Sequence, residues 1–108
     1  MEKEEPGGQL RKKNKEEIIK ILKEVNAEVE QRYKARLKGI FGSFVRGEES
    51  TKSDVDILVE FKEGANLLHL VGLSLFLEEN LHLPVDLVPF DTIRKEIKDS
   101  ILKEAIYL

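Results

Sequence analysis

The sequence predicts a small α/β (α+β) domain in which helices pack mainly on one face of a mixed sheet of three strands or slightly more. Two patterns indicate this fold class: stretches with apolar residues three and four apart, and short β-branched runs in which apolar and polar residues alternate. The two kinds of segment are interleaved along the chain, as is typical of a sheet covered by helices. With 108 residues, the chain has room for one such core.

The composition excludes several classes of protein. Hydrophobic residues make up 41% of the chain and charged residues 36%, with a net charge of −3, which is typical of a soluble globular protein. Proteins that bind duplex nucleic acid usually carry a basic excess, so we expect no such partner. We recognise no membrane span and no leader, and therefore expect a cytoplasmic protein without a membrane partner. The absence of cysteine rules out disulfides and thiolate metal sites.

The first part of the chain divides into a tail and a helix. Residues 1–13 lack periodicity and are expected to form a mobile N-terminal tail, which leaves one domain over residues 14–108. Asn14 is a good N-cap and Glu17 completes a variant of the capping box, so a helix is predicted from there to about Tyr33. Its apolar stripe consists of Ile18, Ile21, Leu22, Val25 and Val29.

Two strands with a short helical turn between them are predicted next. The first strand covers Leu37–Phe41 and stops at a glycine, and residues 43–47 form the short turn. After a polar loop over residues 48–53, the β-branched run over residues 54–61 is the clearest strand of the chain.

The remainder predicts a helix, a third strand and a final helix. These cover Asn66 to about Asn80, Leu83–Val88, and Thr92 to about Tyr107 with an isoleucine stripe. Eight of the eleven residues Leu67–Leu77 are apolar, so that helix is buried on more than one side or offers a surface for a partner or for self-association. The candidate residues for such a surface are Leu70, Leu73 and Leu77.

Aspartates occupy strand positions where this residue type is unfavourable. Side chains alternate across a strand, so Asp54 and Asp56 share the face opposite the apolar set, and Asp86 points the same way from the third strand. Each of them alone is best explained as a solvated side chain. If the two strands are neighbours, however, three carboxylates converge, and two like charges about 4 Å apart repel by roughly 4 kcal/mol. Divalent cations such as Mg²⁺, which take oxygen ligands, would relieve that repulsion.

A glycine–serine turn precedes the paired aspartates. Gly42 allows the backbone to approach a ligand closely, and Ser43 adds a hydroxyl donor at the start of the short helical turn. The turn alone is a weak signal. Its position in front of the paired aspartates makes it a candidate site for an anionic ligand.

The spacing of these residues resembles a known signature. The segment from Gly42 to Asp56 has the pattern G-S-x-x-R-G-x₅-S-D-x-D, and Asp86 follows thirty residues later within an apolar strand. The pattern resembles that of the DNA polymerase β-like nucleotidyltransferase superfamily, and at this chain length the minimal nucleotidyltransferases (MNT-type) that occur with HEPN toxins. Val45 departs from the smaller alanine usual there, for which we expect local repacking only.

The resemblance implies a nucleotidyltransferase fold, an activity and a role for each matched residue. Gly42 and Ser43 would hold the phosphates of a nucleoside triphosphate, while Asp54, Asp56 and Asp86 would be catalytic and bind two Mg²⁺ ions. Arg46 would reach a phosphate or, equally well, form a structural pair that holds the turn. The implied reaction transfers AMP from ATP to a hydroxyl, such as a tyrosine of a HEPN-type toxin, so that this chain is the antitoxin.

Two other functions remain open from the sequence. The chain could neutralise its partner by covering it, with a vestigial nucleotide site, although the presence of all the matched residues disfavours loss of activity. It could also act alone on a nucleic acid or a small molecule, but the acidic balance and the lack of an acceptor-binding domain disfavour this.

Overall fold

The computed structural model describes residues 13–47 and 54–108. Residues 1–12 of the tail predicted over residues 1–13, and the loop predicted over residues 48–53, lie outside the described residues. Helices and strands alternate along the described part. Their bounds are α1 (Lys15–Tyr33), β1 (Ala35–Phe41), α2 (Ser43–Arg46), β2 (Val55–Phe61), α3 (Leu67–Leu81), β3 (Val85–Pro89), a 3-10 turn (Phe90–Thr92), α4 (Lys95–Glu104) and β4 (Ile106–Tyr107).

The strands form one mixed sheet in the order β3-β2-β1-β4. β1 lies antiparallel to β2 and to β4, whereas β2 and β3 are parallel neighbours. A parallel pair requires a crossover connection, which α3 supplies. The predicted fold class is therefore confirmed, with a fourth strand that the sequence did not reveal.

Asparagine residues cap the N-termini of the two long helices α1 and α3. The cap of α1 is the one that the sequence predicts. At α1 the Glu17 N–H donates to Asn14 Oδ1 (2.8 Å) and the Asn14 N–H donates to Glu17 Oε1 (3.0 Å). At α3 the same reciprocal arrangement joins Asn66 to His69, whose Nδ1 accepts from the Asn66 N–H at 3.0 Å. Both caps satisfy N–H groups that a helix otherwise leaves without acceptors.

The hydrophobic core lies between one face of the sheet and the helices α1 and α3. A polar side chain also links the helix layer to the sheet, because Asn26 in α1 both donates to and accepts from the backbone of Leu37 in β1. No helix in the described part of the chain is long and apolar enough to cross a membrane. The fully buried side chains of the core include Ile18, Leu22, Val29, Ile40, Val55, Ile57, Val59, Leu73, Leu77 and Leu81.

The prediction of one continuous helix from Thr92 to Tyr107 is wrong at both ends. A 3-10 turn occupies the beginning, and the helix stops at Glu104 because Ala105 is extended (ψ 145°). Ile106, expected in the helical stripe, instead pairs with Ile40 in β1. A side chain at the neighbouring Gly39 would overlap the Ile106 carbonyl oxygen, so this glycine allows β4 to approach.

The apolar helix α3 is buried on one side and exposed on the other. Leu73 and Leu77 are fully buried, so the expectation that they form a partner surface is wrong, and Leu70 is only half-buried. The other predicted explanation was that α3 is buried on more than one side. The structure shows burial only on the side of α3 that carries Leu73 and Leu77. The exposed side carries four large apolar side chains, which we call the apolar ridge: Leu67, Leu68, Val71 and Leu75.

Candidate active site

The predicted site residues meet at one end of the sheet. β1 ends there at Phe41, while β2 and β3 both begin there, because β2 runs antiparallel to β1 and parallel to β3. The turn at Gly42 therefore stands beside the first residues of β2 and β3. Three segments that are distant in sequence contribute side chains to this end of the sheet.

Two of the predicted carboxylates are direct neighbours. Asp56 in β2 is in register with Asp86 in β3, and residues paired across a sheet project on the same side. Their side chains are close enough to share a hydrogen bond, and Asp54 lies close enough to act on Asp56 through its charge. Two of the three carboxylates that were expected to converge, Asp56 and Asp86, are thus neighbours, while Asp54 acts on Asp56 through its charge.

The proton affinity of Asp56 reflects this crowding. Burial of its carboxyl, followed by the negative charges of Asp86 and Asp54, raises the pKa of Asp56 to about 6, while the positive charge of Arg46 acts in the opposite direction. Burial and like charges both disfavour the ionised form. Ionising Asp56 at neutral pH therefore costs free energy that a nearby cation would offset.

The carboxylates at this site fit a divalent cation whose remaining coordination positions are filled by other ligands. Within residues 13–47 and 54–108, no three histidine, aspartate or glutamate side chains form a cluster that could hold a metal ion. Mg²⁺ usually needs only one or two protein carboxylates, because waters and substrate phosphates fill its remaining positions. Asp56 and Asp86, with Asp54 beside them, supply oxygen ligands of that kind.

Gly42 lies directly against the central carboxylate. Its φ of 83° is in the region that favours glycine, and a Cβ there would overlap Asp56 Oδ2. The Gly42 carbonyl accepts from the N–H groups of Val45 (3.0 Å) and Arg46 (3.1 Å), which closes the turn. Ser43 is the first residue of α2, so the predicted phosphate-binding pair stands next to the predicted metal-binding pair.

Arg46 forms an ion pair that the sequence did not identify. Its Nη1 donates to Glu104 Oε1 at 2.9 Å, and the other oxygen of the same carboxylate accepts from the Gly42 N–H at 2.7 Å. Of the two roles left open for Arg46, the structural pair is therefore present. Glu104 gave no signal in the sequence, because it is one of many glutamates and lies 62 residues from Gly42.

A cleft of about 360 Å³ opens in front of these groups. Its floor includes Phe41, Gly42 and Asp56, and α4 forms the opposite wall with Ile97, Ser100 and Ile101. Arg46 and Glu104 also line it. The cleft joins charged groups suited to phosphates and cations to a mainly apolar wall.

A second depression, of about 320 Å³, borders Asp86. Asp86 contributes to its lining together with Val71, Ser74 and Leu75 of α3. Val71 and Leu75 belong to the apolar ridge, so the exposed apolar side of α3 extends as far as the carboxylate pair. Each carboxylate of the pair thus borders one concave surface: Asp56 lines the cleft and Asp86 lines the second depression.

Comparison with known proteins identifies relatives over almost the whole chain. Residues 16–108 match the family model described as a nucleotidyltransferase domain. The protein adenylyltransferase MntA of Thermococcus cleftensis is 43% identical over 93 residues, which are 86% of this chain and 94% of that relative.

Two solved structures extend the similarity to the fold. One is described as a minimal nucleotidyltransferase; it matches with a TM-score of 0.74 at 34% identity, covering 89% of this chain and 97% of that chain. The other is a crystal structure of a toxin–antitoxin with AMP-PNP, with a TM-score of 0.62 at 25% identity, covering 88% of this chain and 72% of that chain.

Proposed function

The chain belongs to the nucleotidyltransferase domain family, and we propose that it transfers AMP from ATP to a hydroxyl group of a partner protein. One observation carries the proposal: Asp56 and Asp86 stand in register on neighbouring strands, beside the turn at Gly42. The named activity of the adenylyltransferase relative supports AMP as the transferred group.

We propose that Asp54, Asp56 and Asp86 bind two Mg²⁺ ions. Metal ions at such a site would neutralise phosphate charge and steady the attacking and leaving oxygens of an in-line displacement. The raised pKa of Asp56 supports the assignment, because it reflects burial of the carboxyl and, after that, the negative charges of Asp86 and Asp54. Two neighbouring carboxylates and a third within electrostatic reach are the contribution of this chain.

The other residues act on substrate atoms. Ser43 holds the β- and γ-phosphates through its N–H group at the start of α2 and through its hydroxyl. Gly42, whose own N–H donates to Glu104, allows these phosphates to approach the backbone closely. Asp86 orients the acceptor hydroxyl and accepts its proton as the acceptor oxygen bonds to the α-phosphorus. The bond from the α-phosphorus to the bridging oxygen breaks at the same time, and pyrophosphate leaves.

The proposed partner is a HEPN-type toxin, with a tyrosine as the acceptor and this chain as its antitoxin. The toxin–antitoxin structure with AMP-PNP to which this chain is similar supports that pairing. The apolar ridge of α3 supports an acceptor carried on a protein, because Val71 and Leu75 border the depression at Asp86. Exposed apolar surface of this kind commonly marks a protein interface.

The proposal is tested by incubating the chain with ATP, Mg²⁺ and the toxin encoded beside it. We expect the toxin to gain the mass of one or more AMP units, with the modified residue identified by fragmentation. The Asp54→Asn/Asp56→Asn double variant should transfer nothing and should leave the toxin active.

The same experiment tests the alternative that the chain neutralises the toxin by binding it, without catalysis. If the wild-type chain transfers no AMP and the double variant neutralises the toxin as well as the wild type does, neutralisation occurs by binding alone. A control with Glu60→Gln, an exposed residue further along β2, should behave as the wild type in both assays.

A further inference from the structure

We propose that Glu104 is a positioning residue for the nucleotide, because its carboxylate fastens both ends of the turn that begins at Gly42 and ends at Arg46. The inference rests on the proposed function as far as the ligand is concerned, since the ligand used to test it is a nucleotide. The contacts of Glu104 with Gly42 and Arg46 lie within this chain and do not depend on the proposed function.

The carboxylate uses each oxygen for one end of the turn. Oε2 accepts from the Gly42 N–H at 2.7 Å, and Oε1 accepts from Arg46 Nη1 at 2.9 Å. The Glu104 side chain is 26% exposed and that of Arg46 48%, so the pair is partly shielded from water. Hydrogen bonds with an ionised partner are stronger than neutral ones, and here both ends of the turn depend on one group.

Gly42 needs this acceptor because the sheet supplies none at that point. The pairing of β1 with β4 involves Gly39 and Ile40 only, so the strand ladder stops before the turn. Glu104 lies two residues before β4 begins and brings its carboxylate to the Gly42 N–H. The contact holds the backbone at the position where it packs against Asp56.

Arg46 is placed between two negative groups. It pairs with Glu104 and also lowers the proton affinity of Asp56 through its charge. Without Glu104, the guanidinium would be drawn towards the Asp56–Asp86 pair, because opposite charges attract strongly in a partly buried site. Arg46 would then compete with a cation for those carboxylates and leave the edge of the cleft.

Glu104 is suited to the task because it stays ionised. Its hydrogen bonds from Arg46 and from the Gly42 N–H lower the pKa of Glu104. An unpaired carboxylate at the edge of the cleft would repel a triphosphate, whereas one held by two donors presents little free negative charge. Since α4 itself has no buried residue, the contact also joins this helix to the turn.

The test compares Glu104→Ala and Glu104→Gln with the matched control Glu96→Ala. Glu96 lies on the same helix and is exposed, with Arg94 at 3.9 Å. Mg²⁺–AMP-PNP binding to the full chain is measured by calorimetry. We expect about tenfold weaker binding for Glu104→Ala, because this variant loses both hydrogen bonds that fasten the turn. Glu104→Gln should lose about threefold, because its amide oxygen still accepts from Gly42, and Glu96→Ala should match the wild type.

A kinetic split distinguishes positioning from a loss of stability. With the toxin as acceptor, Glu104→Ala should raise the KM for ATP about tenfold while kcat changes much less, and the Mg²⁺ concentration for half-maximal rate should rise. The melting temperature, measured in parallel, verifies that the variants are folded at the assay temperature. If Glu104→Ala unfolds, Glu104→Gln carries the test alone.

The contact itself is tested without nucleotide. In an amide NMR spectrum, the Gly42 resonance should shift in Glu104→Ala and far less in Glu104→Gln or Glu96→Ala. An unmoved Gly42 resonance, or equal affinity in all four proteins, would overturn the inference. Failure of the wild type to bind Mg²⁺–AMP-PNP would instead overturn the proposed function, and the NMR result would still decide whether the contact exists.

Discussion

The two faces of β2 differ although they share one backbone. On the side covered by α1 and α3, Val55, Ile57 and Val59 are all fully buried. On the other side Asp56 is half-buried and Glu60 is exposed. The first face stabilises the fold through burial of apolar surface, whereas the second places charges side by side at an energetic cost.

The second face also changes along its length. Leu58, two residues beyond Asp56, is fully buried. The 3-10 turn over Phe90–Thr92 also contacts β2. The candidate site residues on this face of β2 therefore lie at the beginning of the strand, where the cleft opens. One face of β2 can therefore be altered without the other.

The largest effect is expected on activity from the charged face. Asp56→Asn should reduce AMP transfer by at least about 1,000-fold, because it removes a proposed cation ligand at the reacting phosphate. Glu60→Gln, on the same face but exposed and only loosely paired with Lys38 (3.8 Å), should retain activity. Rates are measured at saturating ATP, and comparable losses in both variants would contradict the confinement of chemistry to the start of β2.

The next effect is expected on stability from the apolar face. Ile57→Ala should lower the free energy of unfolding by about 2–5 kcal/mol, the usual cost of a cavity in a packed core. Denaturant unfolding measures this loss. At a temperature where the variant remains folded, kcat should stay close to that of the wild type. A loss of kcat as large as that of Asp56→Asn would mean that the two faces are not independent.

A smaller effect separates the two glycines that flank α2. Gly42 and Gly47 have φ of 83° and 76°, so alanine at either position should cost about 1–2 kcal/mol of unfolding free energy. Only at position 42 would the new methyl group meet Asp56, since nothing lies within 4 Å of a Cβ at position 47. Gly42→Ala should therefore also abolish transfer by displacing that carboxylate, whereas Gly47→Ala should remain active.

The smallest effect concerns pH and the metal-free protein. Between the ordinary value of 3.8 and the folded-state pKa of about 6, folded Asp56 keeps a proton that the unfolded chain releases. The unfolding free energy therefore falls as pH rises through this window and then levels off. Asp56→Asn avoids the loss and should be more stable than the wild type by about 1 kcal/mol above pH 6, a figure reduced because the group is half-buried.

The control for this last prediction is acid solution. Below about pH 3, the wild type and Asp56→Asn should unfold at the same denaturant concentration, because the carboxyl is then protonated in both the folded and the unfolded state. Addition of Mg²⁺ at pH 7 should stabilise the wild type and not the variant. A variant that is less stable than the wild type at pH 7 without metal would contradict the crowding of the carboxylates.

Local patterns in the sequence predicted most of the fold. Asn14 with Glu17 marked the first helix, and strand alternation placed Asp56 and Asp86 on one face. These signals survive in the structure because caps and alternation depend on neighbours in the chain. The glycine–serine turn and the paired aspartates were predicted in the same way.

Long-range contacts account for what the sequence did not predict. Ile106 has suitable helical spacing, but pairing with β1 at Gly39 and Ile40 overrides it, and that pairing joins residues far apart in the chain. Glu104 could not be distinguished from other surface glutamates without knowing that it reaches Gly42. In α3, a run that is apolar almost all round does not indicate which side is covered, so the candidates for an exposed surface included Leu73 and Leu77, which are buried.

The parallel pairing of β2 with β3 has a consequence for synthesis of the protein. Asp56 and Asp86 become neighbours only after α3 has crossed back over the sheet, and such non-local pairing forms late compared with helices and hairpins. A nascent chain that has emerged only as far as residue 81 carries the glycine turn and two of the three candidate carboxylates, but it lacks Asp86. The ribosome must therefore complete β3 before any nucleotide can be consumed.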